Sequence, residues 1–208
     1  MPPGPERWAE RYAAGDTPWD LGKPHPELVR RLAAGQLSPP PGGRALVPGC
    51  GRGHDAGALA QAGWKVVAID VVDGLAREVG PRLERHGGRF VAGDALAWEP
   101  PAPFHLLFEH TFFCALDPSE RPRYGAMARR ALAPGGLLVA VVFPCGKPAS
   151  AGGPPYGFTP ADLEEVLGPE FVRLRDEPCR HRARDVWDER WTQWVRRPVP
   201  AGGSAASA

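Results

Sequence analysis

Residues 45–70 constrain the fold of this chain more than any other segment, and they read ALVPGCGRGHDAGALAQAGWKVVAID. A short apolar run leads into a turn that contains Gly49, Gly51 and Gly53, and a stretch with helical patterning follows. A second apolar run then ends on Asp70. A strand, a glycine-rich turn, a helix and a strand ending on an acid form the mononucleotide-binding half of a doubly wound sheet. The segment therefore predicts a site for a ligand that carries a ribose.

The rest of the chain alternates apolar runs with helical patterns, which predicts an α/β fold with a mostly parallel sheet and helices on both faces. We expect seven strands, at 44–47, 65–70, 89–92, 104–110, 137–143, 170–177 and 191–197. We expect helices at about 6–14, 26–34, 55–62, 74–86, 119–132 and 160–167. The segment ALAPGG at 131–136 predicts a helix stop and a tight turn. Because no long helix separates the last two strands, they predict a hairpin with an antiparallel strand at the sheet edge.

Length and composition predict a single domain over residues 1–198, with a helical N-terminal arm at about 1–36 and a flexible tail at 199–208. The net charge is +1, so we expect no nucleic-acid partner and no attraction to an anionic membrane. The densest basic cluster, at 180–184 with 196–197, is interpreted as a solvated surface.

Other features predict a cytoplasmic location. No apolar run reaches the roughly 20 residues that span a bilayer, and the N-terminus lacks the pattern of a signal peptide. The four cysteines form no CxxC pair, so we expect neither a metal site nor a disulfide framework. Two further properties are also expected. The absence of Asn and the 26 prolines are typical of thermophilic proteins.

The sequence is compatible with a monomer or a homodimer.

The acids near the glycine turn help to distinguish between two nucleotide ligands. Residues 51–56 satisfy the looser dinucleotide pattern GxGxxA, but Asp55 lies in the first helical turn, where a pyrophosphate would bind. A ligand without phosphates, such as S-adenosylmethionine, fits better. A second acid, Asp94, ends the third predicted strand. We expect Asp70 to accept hydrogen bonds from ribose hydroxyls, and Asp94 with the amide of Ala95 to bind the amino edge of adenine.

Five segments in the order of the chain resemble the thiopurine S-methyltransferase family, and most closely its branch of thiol and halide methyltransferases. They are GDTPWDLGKPHP, VPGCGRGHD, FEHTFFCALDP, LAPGG and GGPPY, and the resemblance covers residues 8–156. It implies a Rossmann-like class I methyltransferase fold with S-adenosylmethionine as methyl donor and S-adenosylhomocysteine as product. It also implies a small-molecule acceptor, a soft nucleophile such as a thiol, hydrosulfide, halide or thiopurine, that attacks the methyl group in line.

The resemblance also implies roles for individual residues. Trp8, Tyr12 and Trp19 would line the cofactor pocket and cover it from the N-terminal arm, where an indole face can stabilise a sulfonium by about 0.5–2 kcal/mol. The other implied cofactor contacts are Gly49 and Gly51 under the methionine portion, Asp70 at the ribose, Asp94 and Ala95 at the adenine, and Glu109 as the acid beside the cofactor.

His110 would face the transferring methyl group, at a position where the plant enzymes usually carry Tyr. A histidine there can accept a proton from a thiol near neutral pH, or it can pack as a wall of the acceptor pocket. The second interpretation is favoured because transfer to a thiolate or halide needs no base. Tyr12 is a milder departure, since relatives often carry Trp there.

The remaining candidates receive structural interpretations. Phe112, Phe113 and Tyr156 are expected to wall the acceptor pocket, whereas Cys50 and Cys114 are expected to pack. His25 and His54 are interpreted as loop surface.

Two other functions remain open at this point. One is a regulatory protein that binds S-adenosylmethionine without turnover. The other is an NAD-dependent oxidoreductase, although the segment EHTFFCAL offers no lysine for its catalytic pair.

Overall fold

The computed structural model describes residues 4–198, and its centre is one seven-stranded sheet. The strands are β1 (Arg44–Pro48), β2 (Lys65–Asp70), β3 (Arg89–Ala92), β4 (Phe104–His110), β5 (Leu132–Cys145), β6 (Phe171–Pro178) and β7 (Asp188–Arg196). The helices are α1 (Pro5–Ala13), α2 (Pro26–Ala33), α3 (His54–Gln61), α4 (Ala76–Glu84), α5 (Arg121–Ala131) and α6 (Pro160–Leu167). The predicted tail at 199–208 lies outside the described residues.

The strand order is β3-β2-β1-β4-β5-β7-β6, with β1 to β5 parallel and β7 antiparallel to both of its neighbours. The predicted fold class and the final hairpin are therefore confirmed. The antiparallel strand β7 lies inside the sheet, however, and β6 forms the edge. Burial explains this order, because β7 carries the fully buried Trp191 and Trp194 whereas most of β6 is exposed.

The core consists of two apolar layers, one on each face of the sheet. Trp191 and Trp194 are three residues apart on one strand, so they point to opposite faces and join opposite layers. The layer that contains Trp191 packs under α2, α3 and α4, and the layer that contains Trp194 packs under α5 and α6. Within residues 4–198, no helix has the length and apolar character required to cross a bilayer.

The predicted turn at 131–136 has a different form from the one expected. β5 already begins at Leu132, which pairs with Phe104, and the next pair is Leu137 with Leu106. The residues between them bulge out of the ladder, and Gly135 has a φ of +79° that favours glycine. The start of this strand was therefore predicted five residues too late, because the Pro and Gly residues of a bulge have the same sequence pattern as a turn.

Candidate active site

A cavity of about 790 Å³ opens at the carboxyl ends of the parallel strands. This is where open α/β sheets bind ligands, and the volume lies in the range of small-molecule and cofactor sites. The turn after β1, the ends of β2 and β4 and the N-terminal segment all contribute to its wall. The predicted residues that line it are Trp8, Tyr12, Trp19, Gly49, Gly51, Asp70, Asp94, Ala95 and His110.

The glycine turn forms a close-fitting floor for the cavity. Gly49 has a φ of +57°, and a Cβ added there would lie 2.4 Å from the ring of Phe112. Gly51 has a φ of +52°, and its added Cβ would lie 2.7 Å from the hydroxyl of Tyr12. Both backbone positions therefore require glycine, and the absence of side chains allows a ligand to approach the backbone closely.

Asp70 is fixed by its own backbone surroundings at the end of β2. Its Oδ2 accepts a hydrogen bond from the Gly51 amide at 2.9 Å, and its Oδ1 accepts one from the Val72 amide at 3.0 Å. The residue is only 8% exposed, and burial raises its pKa above the ordinary value. A carboxylate has about four acceptor sites, so each oxygen can accept one further hydrogen bond from a ligand.

Asp94 is held less tightly than Asp70. Its Oδ1 accepts from the Leu96 amide at 2.9 Å, and its Oδ2 forms an exposed ion pair with Arg123 at 2.9 Å. Arg123 also lines the cavity, and nothing in the sequence pattern had indicated this contact. The neighbouring Ala95 is buried against the wall.

Aromatic residues from the N-terminal arm form the opposite wall. The rings of Trp8 and Tyr12 lie 5.2 and 5.6 Å from that of Trp19, edge to face, and Trp19 Nε1 donates to the Tyr12 hydroxyl at 3.1 Å. Burial raises the pKa of Tyr12 above its usual range, so this phenol stays neutral. The guanidinium of Arg11 lies 4.3 Å from the ring centre of Trp19, so one face of this indole already contacts a cation.

Glu109 does not line the cavity, contrary to what the resemblance implies. Neighbouring residues of a strand point to opposite faces, and His110 faces the cavity, so Glu109 is directed into the core under α5. Its Oε1 accepts from the amides of Phe112 and Phe113 at 2.9 and 2.8 Å. It therefore holds the turn after β4, in which Thr111 has a strained φ of +65°.

The burial of Glu109 makes stability depend on pH. Desolvation raises its pKa to about 7, so the folded chain keeps a proton that the unfolded chain loses above about 4.5. Stability should therefore fall as pH rises from about 4.5 to about 7, by on the order of 3 kcal/mol. Glu109→Gln keeps an oxygen acceptor without the charge, so we expect it to remove this loss and to raise the melting temperature at pH 8. Thermal melts from pH 5 to 8 measure the effect, with the exposed Glu165→Gln as control. Equal pH slopes for Glu109→Gln and the wild type would contradict the assignment.

His110 belongs to a closed ring of five polar residues, which we call the polar ring and which passes through the backbone amide of His25. His110 Nδ1 lies 2.7 Å from Asp55 Oδ2, and Asp55 Oδ1 accepts from the His25 amide at 2.7 Å. His25 Nε2 lies 3.2 Å from Glu189 Oε2. Arg184 Nη1 closes the ring, 3.5 Å from Glu189 Oε1 and 3.3 Å from His110 Nε2.

Three predictions about these side chains were wrong or incomplete. His25 was expected on the surface, but it is fully buried, and its Nδ1 accepts from the Glu27 amide at the start of α2. Arg184 was assigned to a solvated cluster, but its side chain is 14% exposed and lines the cavity. Asp55 does lie in the first turn of α3 as predicted, and its partner is His110. Four of the five contacts of the ring join residues 30 to 164 positions apart, so no local sequence signal could reveal it.

His54 also differs from its prediction as a surface residue. It begins α3, lines the cavity, and its Nε2 lies 3.1 Å from Asp20 Oδ1. Arg52 Nε of the glycine turn lies 3.1 Å from Asp20 Oδ2, and this ion pair connects the loop that carries Trp19 with the glycine turn.

The walls near His110 are only partly those that the sequence predicted. Phe112 lines the cavity, but Phe113 is buried in the core. Tyr156 does not line the cavity, whereas Pro154 and Pro155 of the same loop do. Phe143 and Trp187, neither of which was predicted, complete this end. Cys114 lines it as a neutral thiol, because burial raises its pKa to about 12. Burial also raises the pKa of Cys50, which fits the predicted packing role of both cysteines.

Comparison with known proteins connects this geometry to an activity. Residues 4–179 match the family model described as Thiopurine S-methyltransferase. "Probable thiol methyltransferase 2" of Arabidopsis thaliana is 39% identical over 166 residues, which cover 78% of this chain and 71% of the relative. "Thiocyanate methyltransferase 1" of the same plant is 35% identical over 180 residues, covering 82% and 76%.

Solved structures show the same fold at lower identity. The N-methyltransferase NodS from Bradyrhizobium japonicum, in complex with S-adenosylhomocysteine, superposes with a TM-score of 0.70 at 19% identity, covering 93% of this chain and 99% of that one. The 1,6-didemethyltoxoflavin-N1-methyltransferase of Burkholderia thailandensis also gives 0.70, at 20% identity and with coverages of 93% and 87%.

Fold, cavity and relatives together define a class I methyltransferase that uses S-adenosylmethionine. The floor of glycines, the fixed carboxylate of Asp70 and the aromatic wall fit this cofactor, since they offer close backbone approach, hydroxyl acceptors and surfaces for a cation. The chain belongs to the thiopurine S-methyltransferase family, which confirms the resemblance drawn from the five sequence segments.

Proposed function

We propose that this enzyme transfers the methyl group of S-adenosylmethionine to a small sulfur nucleophile by in-line displacement. The observation that carries the proposal is the composition of the cavity beyond the glycine turn. Phe112, Phe143 and Trp187 make this end apolar, while Arg184 presents a guanidinium 4.6 Å from the ring of Phe143. A polarisable sulfur that develops or carries negative charge suits an apolar chamber with one cationic donor. The names of the two Arabidopsis relatives, a thiol and a thiocyanate methyltransferase, support the same class.

The cofactor supplies a methyl group on a positively charged sulfur, and the residues of this chain position it. Asp70 would accept from the ribose hydroxyls, while Asp94 and the Ala95 amide would bind the adenine edge. Gly49 and Gly51 would allow the methionine portion to lie against the backbone.

The N-terminal arm would close the site. Trp8, Tyr12 and Trp19 would cover the cofactor and keep water from the reacting atoms. Catalysis would then come from holding nucleophile and methyl carbon in line at about 3–3.5 Å. Glu109 would contribute from beneath the wall, by fixing the turn that places Phe112.

Titration calorimetry with S-adenosylhomocysteine and with NAD tests the class of ligand. We expect S-adenosylhomocysteine to bind and NAD not to bind. Turnover is then measured with hydrosulfide, 2-mercaptoethanol, thiocyanate, iodide and 6-mercaptopurine, and we expect the thiols to be methylated. Binding of S-adenosylhomocysteine with no turnover of any acceptor would instead favour a regulatory protein, and binding of NAD alone would overturn the assignment.

We also propose a cytoplasmic location, because a reducing compartment suits the free cysteines of the described chain. Fractionation of cells of the source organism measures this. The absence of Asn and the abundance of Pro also support thermal tolerance, for which a melting curve is the measurement.

A further inference from the structure

We propose that His110 and Asp55 form a proton-accepting dyad, so that this enzyme methylates thiols that enter the site as neutral S–H groups. The inference rests on the proposed function and narrows it from soft nucleophiles in general to protonated thiols. His110 would be the catalytic base. Asp55 would be a positioning residue that acts through it.

The hydrogen-bond partners of His110 determine which nitrogen carries the proton. Burial opposes the ionisation of Asp55, yet the adjacent His110 and the His25 amide hold the pKa of Asp55 below its usual value. An ionised carboxylate can only accept, so the 2.7 Å contact assigns the hydrogen to His110 Nδ1. Arg184 can only donate, so His110 Nε2 presents a lone pair. The proton-accepting nitrogen of His110 therefore lies on the cavity side, where it faces the guanidinium of Arg184.

The contact between Arg184 and His110 is the place where a sulfur would bind. Their nitrogens lie 3.3 Å apart, a long hydrogen bond, and both side chains line the cavity. Arg184 is held independently, since its Nη2 donates to the Trp19 carbonyl at 2.8 Å and its guanidinium lies over Phe143. A thiol that replaces this long contact can donate its hydrogen to Nε2, while its sulfur accepts from the guanidinium.

The net charge of the polar ring offsets part of the cost of protonating His110. His25 Nδ1 accepts from the Glu27 amide, so its hydrogen is on Nε2, where it donates to Glu189. Both imidazoles are then neutral, and the ring contains Asp55, Glu189 and Arg184 as ions, with a net charge of −1. Protonation of His110 brings this buried group to neutrality, which offsets part of the cost of a buried charge.

Each charged or titratable group that faces His110 affects its protonation in a known direction. Burial lowers the pKa of His110, as do His25, whose ring centre is 4.9 Å away, and Arg184. Asp55 raises the pKa of His110. The hydrogen-bond network links Glu189 to His110 by way of Arg184, and Glu189 also bonds to His25. His110 is therefore neutral and able to act as a base at pH 7.

The step balances as a proton transfer coupled to a displacement. The S–H bond of the acceptor breaks and its proton bonds to His110 Nε2. The electron pair of the sulfur forms the new S–CH₃ bond, and the bond from the methyl carbon to the donor sulfonium breaks with its pair retained by the donor sulfur. The products are a neutral thioether, S-adenosylhomocysteine and a protonated His110, which returns its proton to solvent.

Thiols of different acidity distinguish a His110 that acts as a base from a His110 that only forms a wall of the pocket. At pH 7, 2-mercaptoethanol is largely S–H, whereas 4-nitrothiophenol is already a thiolate and needs no base. General bases contribute about 100- to 10,000-fold. We expect His110→Asn to lower kcat/KM at least about 100-fold for 2-mercaptoethanol but less than about fivefold for 4-nitrothiophenol. Its rate with 2-mercaptoethanol should rise about tenfold per pH unit between pH 7 and 9, whereas the wild-type rate stays flat.

Asp55→Asn is the second variant. It should also lower kcat/KM selectively for 2-mercaptoethanol, but by a smaller factor than His110→Asn. The exposed His86→Asn is the matched control, and S-adenosylhomocysteine calorimetry verifies that each variant is folded. Equal losses for the two thiols, or an unchanged pH slope, would overturn the dyad and leave the proposed function intact. If the wild type methylates no thiol at all, the proposed function fails, and the dyad fails with it.

Discussion

Replacement of Asp70 by alanine is expected to weaken the binding of S-adenosylhomocysteine by about 100-fold or more. Asp70 Oδ1 and Oδ2 accept from the amides of Val72 and Gly51 and retain acceptor sites at the cavity wall. A hydrogen bond to a charged group contributes about 1.5–3 kcal/mol, and two such bonds to ribose hydroxyls account for this loss. Alanine would also free the Gly51 amide, so the floor of the site would lose its fixed geometry.

The fold itself should tolerate this change better than ligand binding does. Burial raises the pKa of Asp70, so the carboxylate has a desolvation cost that alanine removes. Calorimetry gives the dissociation constants and a thermal melt gives the stability, with the exposed Asp73→Ala three residues away as control. Binding within about threefold of wild type would show that Asp70 has a structural role only.

The features that were predicted correctly from the sequence are those that depend on residues close together in the chain. The apolar run of β1, the glycine turn and the acid at the end of β2 lie within 26 consecutive residues, 45–70, so their order alone defines the unit. Parallel strands bring their carboxyl ends to one edge, which explains why Asp70, Asp94 and His110 meet at one cavity although they are far apart in the chain.

The features that sequence reasoning missed depend on which way a side chain points or on contacts between distant segments. Glu109 and His110 are neighbours on β4, and the strand pleat sends one into the core and the other into the cavity. Arg184 reaches the cavity from the loop between β6 and β7, over the ring of Phe143. A basic cluster in the sequence gives no indication of such a contact, because solvated and buried arginines have the same local pattern.

The acceptor side of the site is therefore defined by contacts between distant segments. The family resemblance placed His110 at the acceptor pocket but left its role open, because the partner that fixes its tautomer lies on α3. Asp55 was informative in the sequence as an acid that disfavours pyrophosphate at a helix start. In the structure the same carboxylate bonds to His110 and to the His25 amide, so it connects the cofactor floor with the acceptor side.

Gly49→Ala is expected to disable the site through shape rather than charge. An alanine Cβ would lie 2.4 Å from the Phe112 ring, well inside van der Waals contact, and a φ of +57° adds about 1–2 kcal/mol of backbone strain. The amide of Phe112 is fixed by Glu109 at 2.9 Å, so the ring has to swing into the cavity instead of moving with its backbone. We expect S-adenosylhomocysteine to bind at least about 30-fold more weakly and the variant to melt at a lower temperature.

Gly42→Ala is the matched control for this prediction. Gly42 has a φ of +70°, in the same left-handed region, but an added Cβ there meets no atom of the described chain within 4 Å. It should show the backbone strain alone, as a small loss of stability with unchanged ligand affinity. If both variants lose the same stability and both bind S-adenosylhomocysteine normally, then Phe112 moves aside without cost, and the close fit of the floor is not required for binding. A loss of affinity confined to Gly49→Ala would instead mean that the turn after β1 and the turn after β4 must keep their spacing for the cofactor to enter.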